Sequence, residues 1–196
     1  MLPATALRLP ICKRRSNPIT HPMFTGAHLH LLVNHAPIFG SLFAFALLVA
    51  SYFTSADVLR RTAFVVLIGT AIAGAAADLS GDAAEEAVKG LPGVRRELID
   101  AHSHMGDRAY ILGGVLGVLA LVALVRWRRR PVPAGATLVA VLATAFVSGA
   151  MAYTALLGGQ IRHTEVRSGA TAADAMIIEP PRPRRPPGGT QPDSAR

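Results

Sequence analysis

The sequence predicts an all-α protein, a four-helix transmembrane bundle with a short amphipathic helical hairpin between its second and third spans. Composition is the first observation, because 51% of the 196 residues are hydrophobic and only 16% are charged, fewer than in typical soluble domains. The second is that four charge-free apolar runs each approach the ~20 residues that cross ~30 Å of hydrocarbon. The third is that runs such as AYILGGVLGVLALVALV have no polar face at helical spacing, which argues against a soluble bundle.

The apolar runs set the limits of the predicted domain. Asn34 is expected to cap the first span, which places Pro37 in the opening turn, where its missing N–H costs little. Small residues in spans two and three favour close helix packing in lipid. The predicted transmembrane domain covers residues 28–163 and contains four spans, about residues 36–56, 59–78, 107–126 and 134–158.

Polar segments connect and flank these spans. Between spans two and three, Asp82 followed by Glu85 resembles a capping box, and KGLPG supplies turn residues, so we expect a short helix there. A second polar helix is expected to run through the histidines into span three. Residues 1–27 lack the apolar core of a signal peptide and are predicted to be disordered, or a mis-called extension if translation starts at Met23. Residues 164–196 form a Pro/Arg-rich tail that is also predicted to be disordered.

The charge and cysteine content exclude several functions. The net charge of +8 and the pI near 11.0 would suggest nucleic acid in a soluble protein. Here the arginines lie at run edges and in the tail, so we interpret them as determinants of membrane topology and predict no nucleic-acid partner. Cys12 is the only cysteine, which excludes a disulfide framework, a CxxC pair and a CxxCH haem attachment site.

Alternating crossings bring the histidines to one face of the membrane. The starts of spans one and three lie on the same side as the ends of spans two and four, and each histidine group lies near one of these points. His102 and His104 point about 200° apart on a helix, so one at most faces the bundle, and we favour His104. The predicted metal or haem ligands are His30, His35, His104 and His163, with supporting acids Asp78, Asp82, Glu85 and Asp100.

These residue types predict a cofactor. Imidazole ligates haem iron, copper or zinc, and nearby carboxylates orient its second nitrogen or join the coordination shell. We therefore expect haem b or a divalent metal, copper or zinc, at this face. The competing interpretation is that the histidines are interfacial residues satisfied by water or lipid headgroups.

Three segments resemble a known family. LHLLVNHAPIFG enters span one, AHSHMGDRA enters span three and LLGGQIRHTE leaves span four. Over residues 28–168 this pattern is similar to the bacterial four-span predicted membrane proteins grouped as domain of unknown function 2231. His35 before Pro37 and His163 after two glycines match its first and last motifs, although that family more usually has an aromatic residue before the proline. The resemblance implies the architecture and no settled activity.

Three functions remain open at this point. The first is a small redox or metal-handling membrane protein, and the second is a non-catalytic accessory or scaffold subunit of a membrane complex without a cofactor. The third is a transporter or channel, which we rank last because the spans carry few polar residues near mid-membrane. We find no catalytic motif, so enzyme activity has no direct support. The expected partners are the lipid bilayer and a membrane redox or transport partner. The expected location is the bacterial inner membrane, with the histidine face and both termini extracytoplasmic.

Overall fold

The computed structural model describes residues 25–180, and within that range the chain is helical and contains no β-strand. Five α-helices are followed by two short 3₁₀ helices, Thr164–Val166 and Ala172–Met176. The α-helices are α1 (Gly26–Val33), α2 (Ala36–Thr54), α3 (Asp57–Val88), α4 (Arg96–Arg126) and α5 (Ala134–Arg162). Because α1 leads directly into α2, four segments are long and apolar enough to cross a membrane, which confirms the predicted fold class.

Helices α2 to α5 form a closed ring, in which each packs against the next and α5 returns to α2. Helix α1 packs along α3. Large apolar side chains such as Phe53, Val65 and Val139 point outward, so the outer surface suits lipid and not water. These features describe a multi-pass membrane protein.

Each helix of the ring buries one stripe of residues at alternating spacings of three and four, the pattern of helices that cross at a small angle. Small residues on these stripes let the backbones approach: a Cβ added at Gly117 of α4 would lie 2.5 Å from the Cβ of Ala71 on α3. The stripe of α2 contains Pro37, Ser41, Ala44, Leu48 and Ser51. The stripe of α4 contains Ala109, Gly113, Leu116, Ala120 and Ala123.

The two ends of the bundle differ in shape. At the end that contains the α2–α3 and α4–α5 connections, which we call the arginine end, all four helices stop close to the same level. At the opposite end, the histidine end, α3 continues to Val88 and α4 begins at Arg96. The 32 residues of α3 span about 48 Å, which exceeds the ~30 Å of hydrocarbon, so the histidine end projects beyond it.

The projecting part differs from the predicted hairpin. Helix α3 runs without interruption through Asp82, which therefore starts no separate helix, and the chain turns only at Gly90 and Gly93, where φ is +74° and +75°. The Ser80 hydroxyl donates to the Ala76 carbonyl inside the helix and does not cap a new one. Helix α4 does run through the histidines into the third span, as predicted.

The start of the first span also differs from its prediction. Thr25 caps α1, and its side chain accepts a hydrogen bond from the backbone N–H of His28. Asn34 lies in the turn between α1 and α2, where its backbone N–H donates to the His30 carbonyl and its side chain caps nothing. The prediction that Asn34 caps the span is therefore wrong, because the helical segment begins two turns earlier. Pro37 does occupy the first turn of α2.

The tail after α5 folds back onto the bundle. The Arg167 guanidinium donates to the carbonyl oxygens of Gln160, Ile161 and Gly93. The Gly93 N–H donates to the Ile177 carbonyl at 2.8 Å, and Glu179 accepts from the Arg96 N–H. Residues 164–180 thus hold a defined conformation where disorder was expected; the rest of the predicted tail, 181–196, and residues 1–24 lie outside the described range.

Candidate functional site

A polar layer separates two apolar cores along the bundle. The main core fills the ring, and a small core of Val94, Ile99 and Ile161 lies at the histidine end. Between them, four helices bring together the side chains or backbone groups of His30, Ser80, His102 and Thr154, which we call the histidine layer.

His30 joins α1 to α3. Its Nδ1 lies 2.9 Å from the carbonyl oxygen of Ala77, and the Ser80 hydroxyl lies 3.4 Å from the same nitrogen. The position follows from the register of the first span, since His30 lies seven residues before Pro37 and continues the stripe that α2 buries. The ring is half-buried.

His102 joins α4 to α5 in the same way. Its Nδ1 lies 2.9 Å from the carbonyl oxygen of Thr154, and the half-buried ring packs on the backbone of Gly158. A Cβ added at Gly158 would lie 2.9 Å from the ring Cε1, so the contact requires glycine. His102 lies seven residues before Ala109 and continues the buried stripe of α4.

The two imidazoles share one hydrogen-bonding arrangement. A backbone carbonyl can only accept, so the neutral ring carries its proton on Nδ1 and its lone pair on Nε2. Within residues 25–180 neither Nε2 makes a hydrogen bond. The layer therefore presents two Nε2 lone pairs, on rings whose Nδ1 atoms are each fixed by a backbone carbonyl.

The layer lies at one boundary of the hydrocarbon. Ala77 follows the start of α3 by 20 residues, and Thr154 follows the start of α5 by 20 residues. Both positions are about 30 Å from the arginine end, the thickness of the hydrocarbon region. The histidines thus lie where polar groups of the bundle meet the interface.

The structure brings only one of the four predicted ligands into this layer, which is His30. His35 is exposed and stacks on Phe39, with ring centroids 6.4 Å apart. His104 is exposed on α4, and His163 is exposed with its Nδ1 2.8 Å from the Glu165 carboxylate.

The prediction that His104, and not His102, faces the bundle is wrong. His102 lies on the three-four spacing of the buried residues Ile99, Ala109 and Gly113, whereas His104 lies off it. That spacing is the signal in the sequence that could have found His102.

The predicted supporting acids lie around the layer and not in it. Asp78 and Asp82 are exposed on α3, where Asp78 interacts with Asp107 of α4. The Glu85 carboxylate lies 2.8 Å from the Lys89 ammonium. Asp100 lines a surface pocket with Glu97 and Glu179.

Several charged groups at the histidine end pair with neighbouring side chains. The Lys89 ammonium donates hydrogen bonds to the Glu85 and Glu86 carboxylates, which raise the pKa of Lys89. A hydrogen bond to its own backbone N–H and then the His163 ring lower the pKa of Glu165. In the described part of the chain, no group of three or more His, Cys, Asp or Glu side chains is placed to hold a metal ion.

The fold and the layer together define a four-span membrane protein with paired interhelical imidazoles. No protein-family model, no curated protein and no solved structure matches the chain. The resemblance to the domain of unknown function 2231 family therefore stays a prediction.

Proposed function

We propose that this membrane protein holds haem b through the Nε2 atoms of His30 and His102 and serves in electron transfer. The supporting observation is that both Nδ1 atoms are bonded to backbone carbonyls, one of the kinds of partner that orient an imidazole ligand through its second ring nitrogen. Bound haem b would supply one-electron redox chemistry, and His30 and His102, which lie on different helices, would hold it.

A pair of imidazoles suits haem better than a bare divalent ion. Haem iron takes most of its ligands from the porphyrin, so two imidazoles would be enough to hold it. Zinc in a protein site normally takes three or four side chains, and no such group is arranged in residues 25–180. Copper or zinc bound with help from Asp78 or Asp107 is the weaker form of this proposal.

Absorbance of the purified protein, expressed with a supply of haem, tests the proposal. We expect a Soret band that His30→Asn and His102→Asn each abolish. Asparagine is the informative replacement because its amide N–H can still donate to Ala77 or Thr154, while the Nε2 ligand is lost. His35→Asn and His104→Asn are matched controls on the same helical segments, and both should keep the band.

Two outcomes would reject this function. The first is a wild-type protein that, after haem supply, contains neither haem nor copper or zinc by elemental analysis. The second is a band that survives in both His30→Asn and His102→Asn but disappears in a control variant. Retained helical circular dichroism in each variant shows that lost absorbance is not lost folding.

The tail supports the alternative function, an accessory or scaffold subunit. Met176, Ile177 and Ile178 are 77%, 53% and 63% exposed, although they lie next to Gly93 and Arg96, beyond the hydrocarbon. A contiguous exposed apolar run above the membrane fits a contact with another subunit. This alternative predicts that Ile177→Ser with Ile178→Ser reduces the size of the complex extracted in mild detergent, and that the wild-type protein shows no Soret band.

We also propose that the arginine end faces the cytoplasm of a bacterial inner membrane, with the histidine layer outside. Short loops rich in arginine are retained on the cytoplasmic side. A reporter fused to the C-terminus should then be active only in its extracytoplasmic form. Activity of a cytoplasm-specific reporter at that position would reverse the orientation.

A further inference from the structure

The arginine end carries four exposed guanidinium groups on one short segment. Arg126, Arg128, Arg129 and Arg130 are all exposed, and within the described chain none of their side chains donates a hydrogen bond or joins an ion pair. We call residues 126–130 the arginine loop. Four like charges this close repel one another, which makes an anionic partner favourable.

Helix α3 fixes the backbone of this loop. The Arg61 Nη2 donates to the carbonyl oxygens of Trp127 and Arg130, each at 2.7 Å. Asp57 binds the Arg61 Nε at 2.6 Å and accepts from the Val132 N–H at 2.7 Å. The loop arginines are therefore held on a fixed backbone, which lowers the entropy lost when they bind a ligand.

Within residues 25–180, no acid at this end is available to neutralise the loop. Asp57 is the only acidic residue of that range near the α2–α3 and α4–α5 connections, and its carboxylate is already engaged by Arg61 and Val132. Every other acidic residue in the described range lies at the histidine end. The described residues therefore leave the positive charge of the arginine loop unbalanced.

The position of the loop selects the kind of anion. Helices α4 and α5 end and begin at this level. Trp127, which belongs to the loop, and Tyr52, whose hydroxyl donates to the Ala134 carbonyl, are amphipathic residues of the kind typical of the membrane interface. Lipid phosphates occupy the same level. A guanidinium binds phosphate through two parallel hydrogen bonds, a geometry that an ammonium cannot reproduce.

We propose that the arginine loop binds the phosphate groups of anionic phospholipids. Zwitterionic lipid offers the same phosphate with a compensating ammonium, so it should bind less well. Each arginine near an anionic surface contributes about one kilocalorie per mole, so three of them correspond to a preference of roughly 100-fold.

The test uses the full chain in a neutral detergent and compares three additions: phosphatidylglycerol, phosphatidylcholine and inorganic phosphate. Thermal stability and the lipid retained in native mass spectrometry are the two measurements. We expect phosphatidylglycerol alone to raise Tm and to be retained. The triple variant Arg128→Gln, Arg129→Gln, Arg130→Gln should lose roughly 100-fold in affinity.

A second triple variant controls for net charge. Arg95→Gln, Arg108→Gln, Arg162→Gln removes the same charge from exposed positions at the histidine end and should keep the preference. Equal effects of both lipids, or equal losses in both triple variants, would overturn the proposal. A Tm increase with inorganic phosphate that equals that with phosphatidylglycerol would replace lipid by a free anion as the ligand.

Discussion

The arginine end and the histidine end close the same bundle by opposite means. At the arginine end the helices stop together, and the guanidinium groups of Arg60 and Arg61 bind backbone carbonyls of the opposite connection. At the histidine end the helices project, and the imidazoles of His30 and His102 make the bonds between helices. The two ends differ in the capacity that is left for a ligand. The guanidinium groups of Arg60 and Arg61 are used to stabilise the fold, whereas the imidazoles of His30 and His102 each retain an Nε2 atom that makes no hydrogen bond within residues 25–180.

This comparison separates scaffold from site. A guanidinium that donates to several carbonyls fixes a loop and cannot act as a ligand for a metal. An imidazole that donates through Nδ1 fixes a helix contact and still presents an acceptor. Stability should therefore depend most on the arginine end, and haem binding should depend on the histidine end alone.

The largest expected effect comes from Arg60, which is only 9% exposed. Its guanidinium donates to the Val132 carbonyl at 2.8 Å and to the Ser51 carbonyl at 3.4 Å. Arg60→Met leaves both carbonyls without this donor, and we expect a loss of about 2 kcal/mol in the free energy of unfolding, measured by denaturing-detergent titration. The exposed Arg128→Met should change it by less than about 0.5 kcal/mol. Equal stability of the two variants would contradict the scaffold role of Arg60.

Adjacent glycines sharpen the comparison at the histidine end. Gly158→Ala pushes the His102 ring away from Thr154, and we expect a loss of about 1 kcal/mol together with the loss of any haem. Gly159 has no atom within 4 Å of an added Cβ, so Gly159→Ala should gain about 0.5 kcal/mol from helix propensity. Thermal unfolding and Soret absorbance measure both. The same sign of change in the two variants would count against the His102 contact.

The tail should respond to Arg167 without affecting either end of the ring. Arg167→Gln removes donors to three carbonyls, so hydrogen exchange of residues 164–180 should become about tenfold faster. Arg162→Gln, on the exposed side of the same helix end, is the control and should leave exchange unchanged. Unchanged exchange in Arg167→Gln would mean that other contacts hold the tail.

The smallest effect is a pH dependence of the tail. Hydrogen bonds from the Thr171 backbone and hydroxyl lower the pKa of Asp174, the acid of a capping box. The pKa of Asp174 is lower in the folded than in the unfolded protein. The stabilisation is therefore fully present when the pH is above the pKa of an ordinary aspartate, and it is lost as the pH falls through the pKa of Asp174 in the folded protein. Exchange of residues 171–176, corrected for intrinsic rates, should increase on acidification in wild type. Asp174→Asn should remove that dependence, and a wild-type profile in this variant would refute it.

The fold was predictable because hydropathy and length act locally. Four apolar runs of membrane length specify four crossings whatever their partners are, and Pro37 marks the start of α2 without tertiary information. The continuation of α3 through Asp82 was not predictable from local rules. A capping-box spacing also occurs inside helices, and packing of α1 on α3 decides against a break.

The site was predictable in part. Helical geometry correctly requires that only one of His102 and His104 faces the bundle, and the register of the buried stripe on α4 identifies that residue as His102. The tail was beyond sequence reasoning, because Arg167 donates to the Gly93 carbonyl, which lies 74 positions away along the chain. Composition carries no information on such a contact.

The separate core of Val94, Ile99 and Ile161 has a kinetic consequence. A unit with so few buried side chains opens at a smaller free-energy cost than the ring. The segment around this small core, which covers the imidazoles at the histidine end, should therefore unfold locally as a cooperative unit of its own. A flat, bulky cofactor would reach the bundle interior when this segment opens transiently, while the membrane-spanning helices stay assembled. Its rate of entry would then depend on the stability of the contacts that hold residues 164–180 against the bundle.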